Sequence, residues 1–312
     1  MGNCITKRIT FLSHNKINTI SGVIYIPEGT PKGILQISHG MCEYIGRYDA
    51  FMRYMVQKGF IVAGNDHLGH GNSSREEEYG FFGEEDGYIH FIEDLHQMTM
   101  LVKQEFGGLP YFLLGHSMGS FIARLYLTKY GNELDGAIIC GTGGPNPMTG
   151  FGIFLANQTC KRKGTHYRSP MLDHMAFGAF NKKCKPCRTS KDWLTRDSGI
   201  VNAYLHDPKC MFLFTAAGFR DLLTLSSRAN HPQWYDSLNV NLPILLISGD
   251  NDPVGNYGKG VRQVYETLKK YQLQDVSLIL YPNARHEILN EINRSQVFED
   301  TANWIVKHLH TL

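Results

Sequence analysis

The chain of 312 residues contains no run of roughly 18 apolar residues, so no membrane-spanning helix is expected. Its first residues, Met1-Gly2-Asn3-Cys4-Ile5-Thr6, lack the apolar stretch of a secretory signal. They do match the short pattern that directs myristoylation, with Cys4 as a second acyl position. That pattern is too brief to outweigh an ordinary start, and the segment is read as one. Cysteine is sparse. Seven residues, an odd number without regular spacing, exclude a disulfide framework and fit reduced thiols in a cytoplasmic setting. Cys184-Lys185-Pro186-Cys187 is the one close pair. It has neither a thioredoxin-like context nor a partner pair at ligand spacing, so both thiols are expected free and no metal site is expected. Excess charge of one sign is missing as well. Lys and Arg number 31 against 29 Asp and Glu, a net of +2, and nothing global points to nucleic acid. No internal repeat or low-complexity tract is present.

The composition is 42% hydrophobic, ample for a large core, and the length suits one α/β domain carrying an insertion. Residues 5–12 and 19–26 read as two strands around a polar turn, an antiparallel opening hairpin. Strands follow at 33–38, 60–64, 111–114, 137–140, 243–248 and 276–281. Helical spacing appears at 48–58, 89–106, 117–130, 260–271 and 296–308. Strands alternating with helices predict a mostly parallel sheet covered on both faces. Residues 142–238 break this rhythm. They open on Gly143-Gly144-Pro145-Asn146-Pro147, close near His231-Pro232, and are rich in Phe and Met. They hold 13 Lys and Arg, six Asp and no Glu, a net of +7 against −5 for the remainder. The stretch reads as a largely helical insertion between core segments 1–141 and 239–312. Its charge is of the sign that attracts anionic lipid surfaces, screened beyond a Debye length of about 8 Å.

The most informative segment is Gly115-His116-Ser117-Met118-Gly119, between an apolar run and a helical one. A strand that turns into a helix within about one residue needs backbone angles that bulky neighbours block. Glycines on both sides of Ser117 remove the clash and let its hydroxyl stand at the edge of a sheet. Met118 then offers its N–H at a helix N-terminus, where a developing oxyanion is favoured. A serine nucleophile needs a base, and the base an orienting acid. After the elbow, such residues belong just beyond later strands, at the same carboxyl edge. Two loops qualify. Gly249-Asp250-Asn251-Asp252 offers Asp250 and Asp252, and Asn283-Ala284-Arg285-His286 offers the base, His286. The loop His39-Gly40-Met41-Cys42 ends the third strand, and the Met41 N–H is the second expected oxyanion donor.

Together these pieces resemble the α/β-hydrolase family, in particular its branch of monoglyceride lipases, lysophospholipases and serine aminopeptidase-like hydrolases. The matching residues are His39-Gly40-Met41 with Glu43 and Gly46-Arg47-Tyr48, Asp66-x-x-Gly69-His70-Gly71-x-Ser73, Gly115-His116-Ser117-Met118-Gly119, Gly249-x-x-Asp252 and His286. The resemblance covers nearly the whole chain. It implies an α/β-hydrolase fold with an eight-stranded, mostly parallel sheet and a helical lid at residues 142–238. It makes Asp252, last in its pattern, the acid. It makes the 66–73 stretch a structural turn. It sets Glu43 and Arg47 near the polar head of the substrate, with His116 assigned to substrate binding beside them. The implied activity is ester hydrolysis of monoacyl lipids, monoglyceride or lysophospholipid, through Ser117, His286 and Asp252, with no metal or organic cofactor. One departure stands out: that branch tends to carry a second histidine three residues after the base, and here the position is Leu289. Two rival readings are a peptidase or amidase on the same triad, and a silent fold that only binds ligand. The first needs an acidic clamp for a substrate amine, and Glu43 alone is thin support.

Overall fold

The structure is a computed structural model that describes residues 4–185 and 187–309. Met1 and Gly2 of the acylation pattern and Pro186 of the close cysteine pair lie outside them. The chain opens with β1 (Ile5–Leu12) and β2 (Thr19–Ile26), an antiparallel hairpin pairing Ile5 with Ile26 and Leu12 with Thr19. Then come β3 (Gly33–Ser38), α1 (Asp49–Gln57), β4 (Phe60–Asn65), α2 (Tyr88–Glu105), β5 (Tyr111–His116), α3 (Met118–Tyr130) and β6 (Gly136–Cys140). Among the described residues, five α-helices separate β6 from the next strand: α4 (Thr149–Lys163), α5 (Pro170–Phe177), α6 (Ser198–His206), α7 (Ala216–Ala229) and α8 (Pro232–Asp236). The chain closes with β7 (Ile244–Gly249), α9 (Lys259–Lys270), β8 (Val276–Tyr281) and α10 (Arg294–His308).

Among the described residues, eight strands form one sheet in the order β1-β2-β4-β3-β5-β6-β7-β8. β3 to β8 run parallel, and β2 joins β4 antiparallel. The central strands are buried end to end, which is why they read as continuous apolar runs and not as alternation. Parity still sorts their side chains. Ile34, Ile61, Leu113, Ile139 and Leu246 point into one core with α2, α3 and α9. Leu35, Val62, Leu114, Ile138 and Leu245 point into the other, with α1 and α10. A one-residue slip in any strand would exchange these sets, so register is tightly fixed.

The 66–73 stretch is a turn held by its own polar atoms. Asp66 accepts the Ile45 N–H at 2.9 Å and the Asn72 N–H at 2.7 Å, and the Ser73 hydroxyl donates to the Asp66 carbonyl at 2.6 Å. In the insertion, Ser169, Asp197 and Thr215 cap α5, α6 and α7 with side-chain oxygens. Its apolar bulk divides in two. Phe214 is buried against Phe82 and Phe219 against Phe214, whereas Phe151, Phe154, Met171 and Met175 stand about half exposed. All seven cysteines are free.

One carboxylate at the seam between insertion and core has a measurable consequence. Asp221 of α7 is buried against the start of α2, where a Cβ on Gly87 would come within 2.5 Å of it. Burial outweighs the nearby Arg220 charge and the N–H groups of Tyr88 and Gly87, and pushes its pKa up to about 7. A carboxyl raised in the folded state adds stability below its unfolded pKa of about 3.9 and loses it as pH rises through the folded value. Asp221→Asn should therefore flatten the fall in melting temperature between pH 4 and pH 8. Differential scanning fluorimetry across that range checks this, and an unaltered slope would place the pH dependence elsewhere.

Candidate active site

The elbow forms because the chain reverses over a single residue. Ser117 holds φ 54° and ψ −119°, a combination rare outside glycine, at a cost of about 1–3 kcal/mol. The flanking glycines make it sterically feasible. A Cβ on Gly115 would sit 2.3 Å from the Gly119 carbonyl oxygen, and one on Gly119 would sit 2.1 Å from that of Ser38. Met118 begins α3, so its N–H has no intrahelical acceptor.

The later loops bring the other two residues to this point. His286 Nε2 lies 2.8 Å from Ser117 Oγ, and its Nδ1 lies 2.9 Å from Asp252 Oδ2. Both His286 and Asp252 are buried. Asp252 also accepts the Val254 N–H at 2.8 Å and the Ser248 hydroxyl at 3.3 Å, so its carboxylate is fixed before it meets the imidazole. Asp250, the other candidate on the loop, is exposed and accepts the Asn283 N–H at 2.7 Å. It ties two loops together and does not reach His286. With Nδ1 donating to Asp252, Nε2 is left to accept the Ser117 proton.

The loop after β3 is held from two sides. Glu43 Oε1 accepts the Gly40 N–H at 2.5 Å and the Tyr48 hydroxyl at 2.7 Å, and it stands 3.1 Å from His116 Nδ1. On the other side, His39 Nε2 accepts the His67 N–H at 2.8 Å, which leaves Nδ1 to donate to the Gly40 carbonyl at 2.8 Å. Burial, more than the opposing pull of Glu43 and Asp66, lowers the His39 pKa and keeps that ring neutral. Glu43 behaves oppositely. Burial would raise its pKa, but the hydrogen bond and charge of His116 and the charge of Arg47 hold it well below the usual carboxylate range. The same pair raises His116 above its ordinary value, although burial alone would lower it.

Glu43, His116, Met41 and Met118 all line one cavity of about 580 Å³ together with Ser117 and His286. Arg47 stands behind it. Its guanidinium grips Glu287 in a bidentate pair at 2.7 Å for both contacts, reaches Glu43 at 2.9 Å, and lies 4.8 Å from the Tyr204 ring centre. Glu287 escaped the sequence reading because its partner is 240 positions away, and no local pattern marks such a pair. Trp193 of the insertion was missed for the same reason; its ring centre is 5.2 Å from that of His286. Cys42 also faces the cavity, but burial pushes its thiol up to about 12, so it is no rival nucleophile.

Residues 29–293 match the family described as serine aminopeptidase, S33. The chain belongs to that family. It is 28% identical to the monoacylglycerol lipase of Mycolicibacterium smegmatis, over 92% of this chain and 92% of that one. It is 27% identical to the human monoglyceride lipase, over 91% of this chain and 86% of the relative. Among solved structures, a highly thermostable carboxyl esterase from Bacillus coagulans, in complex with glycerol, superposes with a TM-score of 0.92 at 30% identity, covering 99% of both chains. The fold is that of the α/β-hydrolases and the chain is a serine hydrolase. No described helix is long and apolar enough to cross a membrane.

The two aspartates of the 250–252 loop can be separated by turnover. Asp252→Asn should lose about 10⁴ in kcat, because an amide favours the wrong imidazole tautomer. Asp250→Asn should lose far less and act on loop stability instead. Steady-state kinetics on one chromogenic ester compares them, and reversed losses would make Asp250 the acid.

Proposed function

We propose that the protein hydrolyses carboxylic esters of monoacyl lipids, monoglycerides or lysophospholipids with a medium-length chain, in the cytoplasm. The observation that carries this reading is the hydrogen-bonded line Ser117–His286–Asp252 opening into a largely apolar cavity of about 580 Å³. In this mechanism Ser117 Oγ attacks the ester carbon as His286 Nε2 takes its proton. Asp252 stabilises the imidazolium. The N–H groups of Met41 and Met118 receive the oxyanion. His286 then protonates the departing alcohol, and water, deprotonated by the same nitrogen, releases the fatty acid.

Residues 142–238 are proposed as a lid over the acyl chain. Met148, Phe151, Met175, Phe177 and Phe219 line the cavity from that side, and methionine walls adapt to a flexible chain. Glu43 and His116 are proposed to meet the polar head, with Arg47 holding Glu43 in place from behind. Leu289, buried where the branch tends to carry a second histidine, weakens strict dependence on glycerol. The aminopeptidase-type alternative gains little from the carboxylates nearest Ser117, since Arg47 engages both Glu43 and Glu287 and leaves neither as a bare clamp for an amine. The half-exposed Phe151, Phe154, Met171 and Met175, beside the excess positive charge of the insertion, support peripheral contact with anionic lipid surfaces.

Three measurements test these points. A fluorophosphonate probe should label Ser117, and Ser117→Ala should lose both labelling and about 10⁶ in turnover. Labelling that persists in the variant would falsify the nucleophile. Each buried CH₂ contributes up to about 0.8 kcal/mol, so kcat/KM for C2 to C16 esters should climb over the first carbons and then level or fall. A steady decline from C2 excludes a lipase-type site. In co-sedimentation at low salt, anionic vesicles should retain more protein than neutral ones, and equal retention removes the surface-contact idea.

A further inference from the structure

Arg124 sits in the second turn of α3, about 10 Å along the helix from Ser117. It is fully buried, and no described carboxylate lies within ion-pair distance of it. Burial lowers its pKa only to about 10, so it is charged at neutral pH. Its bonds go to backbone and neutral side chains at two places in the chain. Nη1 donates to the Gly143 carbonyl at 3.2 Å and to Thr142 Oγ1 at 3.4 Å, where the chain leaves the sheet for the insertion. Nη2 donates to the Ala229 carbonyl and, at 3.1 Å, to Asn230 Oδ1, where the chain comes back at the end of α7. Trp234 of α8 lies under the guanidinium at 4.3 Å, and its Nε1 donates to the Arg124 carbonyl. Asn230 Nδ2 completes the link, reaching Gly143 O at 3.4 Å and Ser226 O at 2.9 Å.

One side chain on the nucleophile helix thus ties together both ends of the insertion. Gly143 and Ser226 line the cavity, whereas Arg124 and Asn230 stand behind them and do not line it. We propose that Arg124 is a positioning residue that places one wall of the acyl site by fixing both ends of the insertion against α3. The proposal rests on the reading that the insertion roofs an acyl pocket. The fork of the guanidinium is what the arrangement needs. A lysine ammonium is a point charge on a flexible stem and cannot span two pairs of acceptors in one plane. A shape-filling apolar residue would pack the space and leave four acceptors without this donor.

The test uses the full chain, with every rate normalised to the concentration of fluorophosphonate-reactive sites so that unfolded protein does not count. For Arg124→Lys, kcat/KM on a C2 ester should stay within about twofold of wild type, while on C8 to C12 esters it should fall about tenfold, chiefly through KM, since small misplacements of a wall are felt only by the substrate that fills it. Asn230→Ala removes one arm of the link without burying a charge, and should move the chain-length profile in the same direction by a smaller factor. It keeps the proposal testable if the arginine variant does not fold. A uniform loss at all chain lengths, or an unmoved profile in Asn230→Ala, would show a purely structural arginine and overturn the proposal. Absence of ester turnover, or of any chain-length preference, in wild type would instead overturn the underlying function.

Discussion

The close approach of α3 to the ends of β3 and β5 is the constraint on which the site depends. Gly115 and Gly119 allow backbone to meet backbone where a single methyl group would collide with a carbonyl oxygen. That contact lets the chain reverse at Ser117, lifts the hydroxyl off the sheet, and starts a helix with its unpaired N–H groups at the same spot. The loop after β3 then passes within reach, because Gly119 packs on the carbonyls of Ser38 and His39. The proposed nucleophile and both proposed oxyanion donors share a place because the backbones there have no room to be anywhere else.

Around that contact, polar groups are arranged by strength of claim. Glu43 takes a backbone N–H, a hydroxyl, an imidazole and a guanidinium at once. Buried carboxylates with so many donors stay ionised, and their surroundings are correspondingly rigid. Asp252 is treated similarly, with Val254 and Ser248 satisfying it beside His286. His39, His67 and His70 form the contrasting group. Burial draws the His70 pKa down to about 3, so these rings support the loop through neutral hydrogen bonds and packing. Charge is concentrated at the polar end of the cavity and withheld from the layer behind the oxyanion loop.

Much of this was legible in the sequence because it is written in local patterns. The eight strands follow from apolar runs bounded by turns. The elbow follows from two glycines around a serine. The position of His286 follows from its place after the last strand. What local pattern cannot carry is contact between distant positions of ordinary type. Asp250 and Asp252 are chemically alike and two residues apart, and in the sequence only the family pattern favours one over the other. Arg47 was recognised, but its bidentate partner Glu287 was not. The apolar richness of 142–238 predicts helices and burial, yet no periodicity announces that Phe214 and Phe219 are buried while Phe154 and Met171 stand half exposed. Arg124 reads as one more polar residue in a helix until both ends of the insertion are seen to converge on it.

The insertion also reaches the His286 loop through backbone alone. The His286 N–H donates to the Trp193 carbonyl at 3.4 Å, and the Glu287 N–H donates to the Leu194 carbonyl at 2.7 Å. These bonds do not depend on which side chains occupy either segment. The insertion is therefore not a detachable module laid over a finished core. A chimaera that exchanges it for a helical segment from another hydrolase must preserve the turn at residues 193 and 194, whatever their identity, or the loop bearing His286 loses the two carbonyls that hold it. What the crossing constrains is the trace of the chain and not the identity of its side chains.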